Sequence, residues 1–184
     1  ADGRWTVKGY TYDKAGRKSV VAEGIIITRD MVNPTANAPK VSSGTKGESS
    51  YYRSNVTVRM NGGSDVTSPM ETRMTYRVTG TAKGNGAIGG TSVTTNQVVD
   101  TGEVEIANGG TFTITADGTW TVTAYMYDRS GRDTAVNTLV FTRDTVGPTI
   151  SSITIGAFTY SNGTKGSVTA TVSASDAFSG LATS

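Results

Sequence analysis

The chain has no cysteine and no histidine among its 184 residues. Disulfides, thiolate zinc sites, cysteine nucleophiles and histidine-based triads are therefore excluded. A reducing compartment would account for the missing disulfides, and so would a Gram-positive exterior. Charge is also scarce: 17% of residues are charged, against about a quarter in an average globular chain. The net charge of +2 comes without a basic cluster, so the electrostatic footprint of a nucleic-acid binder is missing. No run is apolar enough to span a membrane, and no secretory leader opens the chain. Residue 1 thus reads as a mature end or a cut. Nowhere do apolar residues keep helical spacing over three turns.

Threonine, serine, valine, tyrosine and 23 glycines fill the space. Thr, Val and Tyr suit pleated, half-buried surfaces, which predicts an all-β chain. The strongest signal is internal repetition. Residues 1–17 (ADGRWTVKGYTYDKAGR) and 116–132 (ADGTWTVTAYMYDRSGR) are identical at eleven of seventeen positions. After a one-residue slip Thr28-Arg29-Asp30 matches Thr142-Arg143-Asp144, and Pro34-Thr35 matches Pro148-Thr149. Repetition at this spacing predicts a tandem array of one structural unit.

Strands follow from period-2 alternation. Trp5, Val7 and Gly9 share one face, and Tyr10 and Tyr12 the other. Asp13-Lys14-Ala15-Gly16 predicts a tight hairpin, with Asp opening the turn and Gly taking the left-handed position. A partly irregular strand is expected over 40–43. Val56, Val58 and Met60 alternate with polar residues, as do Val168, Ala170, Val172 and Ala174. Met74, Tyr76 and Val78 mark another strand, 98–106 one or two more, and Phe112 and Ile114 the next. The glycine-rich stretch 80–92 lacks a pattern and predicts a long surface loop. Residues 36–149 then hold about seven strands with turns every 8–12 residues, an immunoglobulin-like sandwich.

The motif ADGTWTVTAYMYD-x-x-G-R, ending in TRDTVGPT and followed by SVTATVSASDAFSGL, resembles the bacterial Ig-like repeats of large cell-surface proteins and adhesins. The resemblance covers 1–35, 52–66 and 111–184. Trp5 and Trp120 stand where that family usually has Tyr, and Arg17 and Arg132 where it usually has Asn. It implies tandem immunoglobulin-like β-sandwich repeats: 1–35 the C-terminal part of one, 36–149 a complete one, 150–184 the N-terminal part of the next. It also implies an extracellular, cell-surface setting and a structural or adhesive stalk, whose partners are the adjacent repeats. Two other roles fit the same fold. One is a module of a phage virion or the subunit of an extracellular filament with neighbouring chains as partners. The other is an accessory binding module of a secreted polysaccharide-degrading enzyme.

Candidate sites are few. Gly84-Asn85-Gly86-Ala87-Ile88-Gly89 has the letters of a dinucleotide loop without the strand before and helix after that such a site needs. Lys83, Asn85 and Ile88 are instead expected on a protruding interaction loop. Trp5 and Trp120 share a face with Val7 and Val122 and are expected to plug the core. The tyrosines on the opposite face pair across strands or stack on a sugar. Aspartates recur at corresponding places: Asp13 with Asp128, Asp30 with Asp144, Asp65 with Asp176. Asp144, Asp176, Asp30 and Asp65 fall at the expected domain junctions, where oxygen-rich clusters can hold Ca²⁺; singly, each also reads as a turn cap. Arg29 and Arg143 beside the junction aspartates predict exposed ion pairs worth about 0–1 kcal/mol. Scattered carboxylates give no catalytic pair, so no enzyme is expected and no cofactor beyond junction Ca²⁺.

Overall fold

The computed structural model describes residues 1–20, 23–67, 70–133, 137–157, 160–161, 163–166 and 168–182. Among them every regular element is a strand. Among the described residues no helix is long and apolar enough to cross a membrane. In chain order the strands are β1 (Gly3–Val7), β2 (Ile25–Arg29), β3 (Thr35–Ala36), β4 (Lys40–Ser43), β5 (Tyr51–Tyr52), β6 (Val56–Arg59), β7 (Gly63–Ser64), β8 (Met70–Ala82), β9 (Gly86–Ile88) and β10 (Thr91–Val93). They continue as β11 (Val98–Asp100), β12 (Val104–Ala107), β13 (Thr111–Ile114), β14 (Gly118–Asp128), β15 (Asn137–Arg143), β16 (Thr149–Ile155), β17 (Tyr160–Ser161), β18 (Thr164–Lys165) and β19 (Ala170–Ser175).

Two sheets build the centre. One has the order β10-β9-β13-β6-β4. The other runs β11-β8-β14-β15-β5, with β12 also on β8. All pairs are antiparallel except β15 with β5. Both sheets feed one buried cluster. Val56, Val58, Ile88, Phe112 and Ile114 come from the first, and Met74, Tyr76, Val78, Trp120, Val122, Met126 and Phe141 from the second. Strand β14 shows why this sequence makes this layer: its residues alternate buried and less buried without a break from Gly118 to Asp128. Trp120 is fully buried and its indole N–H donates to the Ala116 carbonyl at 3.1 Å. Gly80 on the paired strand leaves room for the ring, since a Cβ there would sit 2.7 Å from it. Tyr76 stacks on Phe112 at 3.9 Å between centroids.

The same pairing geometry occurs at the start of the chain and in the central sheets. β1 and β2 pair Gly3 with Arg29, Trp5 with Ile27 and Val7 with Ile25. β14 and β15 pair Gly118 with Arg143, Trp120 with Phe141 and Val122 with Leu139. The hairpin tips match too: Gly16 N–H donates to Asp13 O as Gly131 N–H does to Asp128 O, with both glycines left-handed at φ 79° and 84°. β3 pairs Thr35 with Ser64 before β4 pairs with β6 across a bulge. β16 likewise pairs Thr149 with Ser175 and bulges after Ile150. Burial differs. Trp120, Val122 and Phe141 are covered, whereas Trp5, Val7 and Ile27 are each about half exposed (51%, 54% and 51%), so Trp5 does not plug a core here.

Two expectations are corrected. Residues 36–149 contain the end of β3 and strands β4 to β15, more than seven, because several ladders are only two or three residues long. The stretch 80–92 is not a protruding loop. β8 runs to Ala82, and β9 and β10 form a hairpin joined to β13. Lys83 donates its N–H to Asp117 O, Asn85 Oδ1 accepts the Thr95 N–H and hydroxyl, and Ile88 lies in the core at 2% exposure. Alternation was invisible there because glycines occupy the positions where backbone crowds. A Cβ on Gly86 would lie 2.5 Å from Ala116 backbone. The turn expected at 162–166 begins at Asn162, which lies outside the described residues.

Candidate metal centre

Three aspartates from distant parts of the chain meet where residues 1–35 abut the central sheets. Asp30 follows β2, Asp65 follows β7, and Asp128 ends β14. Each opens a turn in which Oδ1 accepts the N–H two residues on: Val32 at 2.9 Å, Thr67 at 2.8 Å and Ser130 at 2.8 Å. At Asp128 the Ser130 hydroxyl and the Arg132 N–H add further bonds to Oδ1. Short polar side chains close such turns on their own backbone. One oxygen of each carboxylate is thereby used locally.

The three carboxylates converge. One oxygen from each aspartate lies within 4.8 Å of the others. Asp128 is fully buried and Asp30 is 9% exposed, and Oδ2 of both is buried without a hydrogen-bond partner. Burying an unpaired carboxylate oxygen is costly, and gathering three anions is more so, unless a cation or a proton compensates. At Asp128 burial pushes the carboxyl pKa up. Donors from Arg132, Ser130 and Gly131 outweigh it and hold the group below the ordinary carboxylate range. These donors favour the carboxylate form of Asp128. The donor set is oxygen only, without nitrogen or sulfur, which suits a hard ion such as Ca²⁺. Nearby bonds hold the three segments together. Arg132 Nε donates to Asp30 O at 3.1 Å and Nη1 to Asn33 Oδ1 at 3.1 Å; the Asn137 amide donates to Ala36 O, and Thr35 Oγ1 to Ser64 O.

The four aspartates expected at junctions are divided between two places. Asp30 and Asp65 join Asp128, whereas Asp144 and Asp176 meet at the other end of the central sheets. There the Ser179 N–H is shared between Asp144 Oδ2 at 3.0 Å and Asp176 Oδ1 at 2.7 Å. Asp144 Oδ1 caps Val146, and Asp176 Oδ1 also takes the N–H groups of Phe178 and Gly180. The Phe178 bond leads in lowering the Asp176 pKa. Both residues line an open recess of about 470 Å³ with Tyr51, Arg53, Val146 and Leu181. Asp128 was expected only as a turn residue. The signal for more lay in its register: it shares the inward face of β14 with Trp120, Val122, Ala124 and Met126, where a carboxylate needs a partner.

The arginines also differ from expectation. Arg143 pairs with Asp117, not Asp144, at 2.5 Å, with side chains only 9% and 11% exposed. Its Nε and Nη2 reach Ser54 O and Asn55 Oδ1, and Asp117 further accepts the Thr145 N–H and hydroxyl. The pair is therefore a buried, fully bonded anchor of the sheet end, and breaking it would leave a buried charge. Arg29 repeats the pairing on Asp2 at 3.2 Å in an exposed setting. Of the outward tyrosines, Tyr125 stands opposite Thr75 across the strand pair, Tyr127 donates to Glu103 at 2.6 Å, and Tyr10 lies under the Lys18 ammonium.

No protein-family model, curated protein or solved structure matches the chain.

Proposed function

We propose that this chain is a load-bearing segment of a tandem immunoglobulin-like array, of the kind found in bacterial surface proteins and adhesins, with junctions set by a bound divalent cation. Residues 1–35 supply the end of one unit, 36–149 a whole unit and 150–184 the start of the next. The observation that carries the reading is the Asp30, Asp65 and Asp128 cluster, whose oxygens come from two units and include two buried ones without a partner. Shared register between β1–β2 and β14–β15 supports the repeat, as does the resemblance of the TWTVTAYMYD and TRDTVGPT segments to bacterial Ig-like modules.

The function is mechanical. The central unit buries its own core, and Arg132 bonds to Asp30 O and Asn33 Oδ1 cross the junction. A cation bound by both sides replaces a flexible hinge with a fixed joint, and the array holds its far end at a set distance from the cell. Ca²⁺ is preferred because it accepts several carboxylates and backbone oxygens in irregular geometry. Small-angle scattering with calcium and with EDTA tests this. Chelation should broaden the distribution of end-to-end distances, and calcium should restore it. Identical profiles in both buffers would reject the cation-set joint.

A further inference from the structure

We propose that residues 31–39 form a strap on the central sheets, latched when the cation binds and released when it leaves. The inference rests on the cation reading of Asp30, Asp65 and Asp128 and adds what that site controls: the short ladder of β3 on β7 and the length of chain that it holds in. Three observations carry it.

The first is where the aspartates stand. β3 and β7 pair Thr35 with Ser64 and Ala36 with Gly63. The next pair outward would be Pro34 with Asp65, and Pro34 has no N–H with which to extend the ladder. Asp30 and Asp65 lie on the two chains at that open mouth, and their carboxylates come within 4.8 Å of each other and of Asp128. Oδ2 of Asp30 and of Asp128 is buried without a hydrogen-bond partner, which points to a cation rather than to turn capping alone. An ion there ties the two chains together where hydrogen bonding stops. The ladder itself recurs later in the chain. Asp144 and Pro148 precede Thr149, which pairs with Ser175 next to Asp176. Thr35 Oγ1 donates to Ser64 O at 3.0 Å, and Thr149 Oγ1 to Ser175 O at 3.4 Å.

The second observation is how lightly the strap is held. Of residues 31–39 only Pro34, Ala36 and Pro39 are buried. The ladder is two residues long, and side-chain amides hold its flanks: Asn37 donates to Gly62 O, Asn61 to Ala38 O at 3.2 Å, and Asn137 to Ala36 O. A segment with few buried contacts and exposed hydrogen bonds opens far more readily than the core beneath it. The third observation is the closeness of the fit. A Cβ on Gly63 would lie 1.6 Å from the Thr35 carbonyl oxygen, so the strap has a single seat. Closed, it holds Asp30 against Asp65. Open, it carries Asp30 away from the site, and residues 31–39 can extend to at most about 30 Å. The two states thus differ in affinity for the ion, which is what lets the ion switch them.

Hydrogen exchange on the whole chain, read by mass spectrometry, tests this beside calorimetric titration with calcium. Peptides covering 31–39 and 61–66 should exchange more slowly in calcium than in EDTA, by about fivefold or more, the lower end of ordinary coupling. Peptides from β6 and β14 should keep their rates. Coupling is reciprocal, so closing the strap by other means should tighten calcium binding by a similar factor. The Thr35 and Ser64 hydroxyl oxygens are 3.1 Å apart and the chain has no cysteine, so Thr35→Cys with Ser64→Cys offers one bridge within the chain. Its oxidised form should bind calcium about fivefold or more tightly than its reduced form. Gly63→Ala, which crowds the Thr35 carbonyl, should weaken binding and leave the strap peptides exchanging fast in calcium. Unaltered central-core melting in each variant, by circular dichroism, shows that the chain still folds. If calcium binds while strap exchange is equal in both buffers, the strap fails and the cation site stands. Equal affinity in the oxidised and reduced cysteine pair has the same meaning. A wild type that binds no calcium overturns both.

Discussion

Replacing Asp30 by Asn separates a cation site from a set of turn caps, because the two roles predict opposite signs in the absence of metal. Asn keeps the Oδ acceptor that holds the Val32 N–H, so the turn survives. What changes is charge. With carboxylate oxygens within 4.8 Å, each pair repels by about 0.9 kcal/mol in a water-like dielectric and by about 3.5 kcal/mol at an effective value near 20. Asp30→Asn removes two of the three pairs, a relief of at least about 1.7 kcal/mol. Against it, one hydrogen bond loses a charged acceptor, at about 1 kcal/mol. In EDTA the variant should therefore be the more stable protein, by roughly 1 kcal/mol, or about 3 °C in melting midpoint for a chain of this size. Calcium reverses the comparison. At one hundred times its dissociation constant a ligand stabilises the native state by about 2.7 kcal/mol, a gain the variant should largely lack. Thermal melting of both proteins, in EDTA and across a calcium series, reads these values directly. A variant destabilised equally in both conditions would leave Asp30 a turn cap and refute the site.

Trp120→Ala should cost about 3–5 kcal/mol, since the ring is fully buried, whereas Trp5→Ala at the same register should cost well under that in monomeric protein; denaturant titration distinguishes them. The Glu103 carboxylate is held below its ordinary pKa by the Tyr127 hydroxyl first and the Thr75 hydroxyl second, against burial, and the same bond raises Tyr127. The Glu103 contribution to stability is thus present above its unfolded pKa and fades as pH falls through its folded one. That of Tyr127 is present below about pH 10 and fades as pH rises past it. Tyr127→Phe should flatten both limbs of the melting profile, and an unchanged acid limb would contradict this assignment.

The elements legible in the sequence were those whose burial follows a strict period. β14, β6 and the inward residues of β8 and β13 were readable because every second residue is apolar, and the hairpin at 13–16 because Asp and Gly have specific backbone jobs. β9 escaped because Gly86 replaces the apolar signal with a close backbone approach. Arg143 was misjudged for a different reason. Its neighbour in sequence is Asp144, but β15 ends at Arg143 and the Asp144 carboxylate caps the Val146 N–H in its own turn. Gly118 faces Arg143 in the β14–β15 ladder, and Asp117 immediately precedes it.

The candidate site was half legible, and the half that was missed follows from how each aspartate divides its two oxygens. In every one of these turns Oδ1 satisfies backbone N–H groups, which is reason enough for an aspartate to be there. A turn cap needs nothing else, so each residue taken alone is fully explained and points nowhere. Only the convergence of the carboxylates of Asp30, Asp65 and Asp128 distinguishes capping from ligation. Asn would cap these turns equally well, yet the chain places Asp at 13, 30, 65, 128, 144 and 176. At 30, 65 and 128 this negative charge, which capping does not require, brings like charges together and is a stability cost in the absence of metal. On the proposed reading a cation would reverse that cost only with both segments in place, because Asp30 comes from 1–35 and Asp65 and Asp128 from 36–149. The proposed joint would then be conditional: the aspartates that weaken the junction in the absence of the ion would be the ones that fix it when the ion is bound.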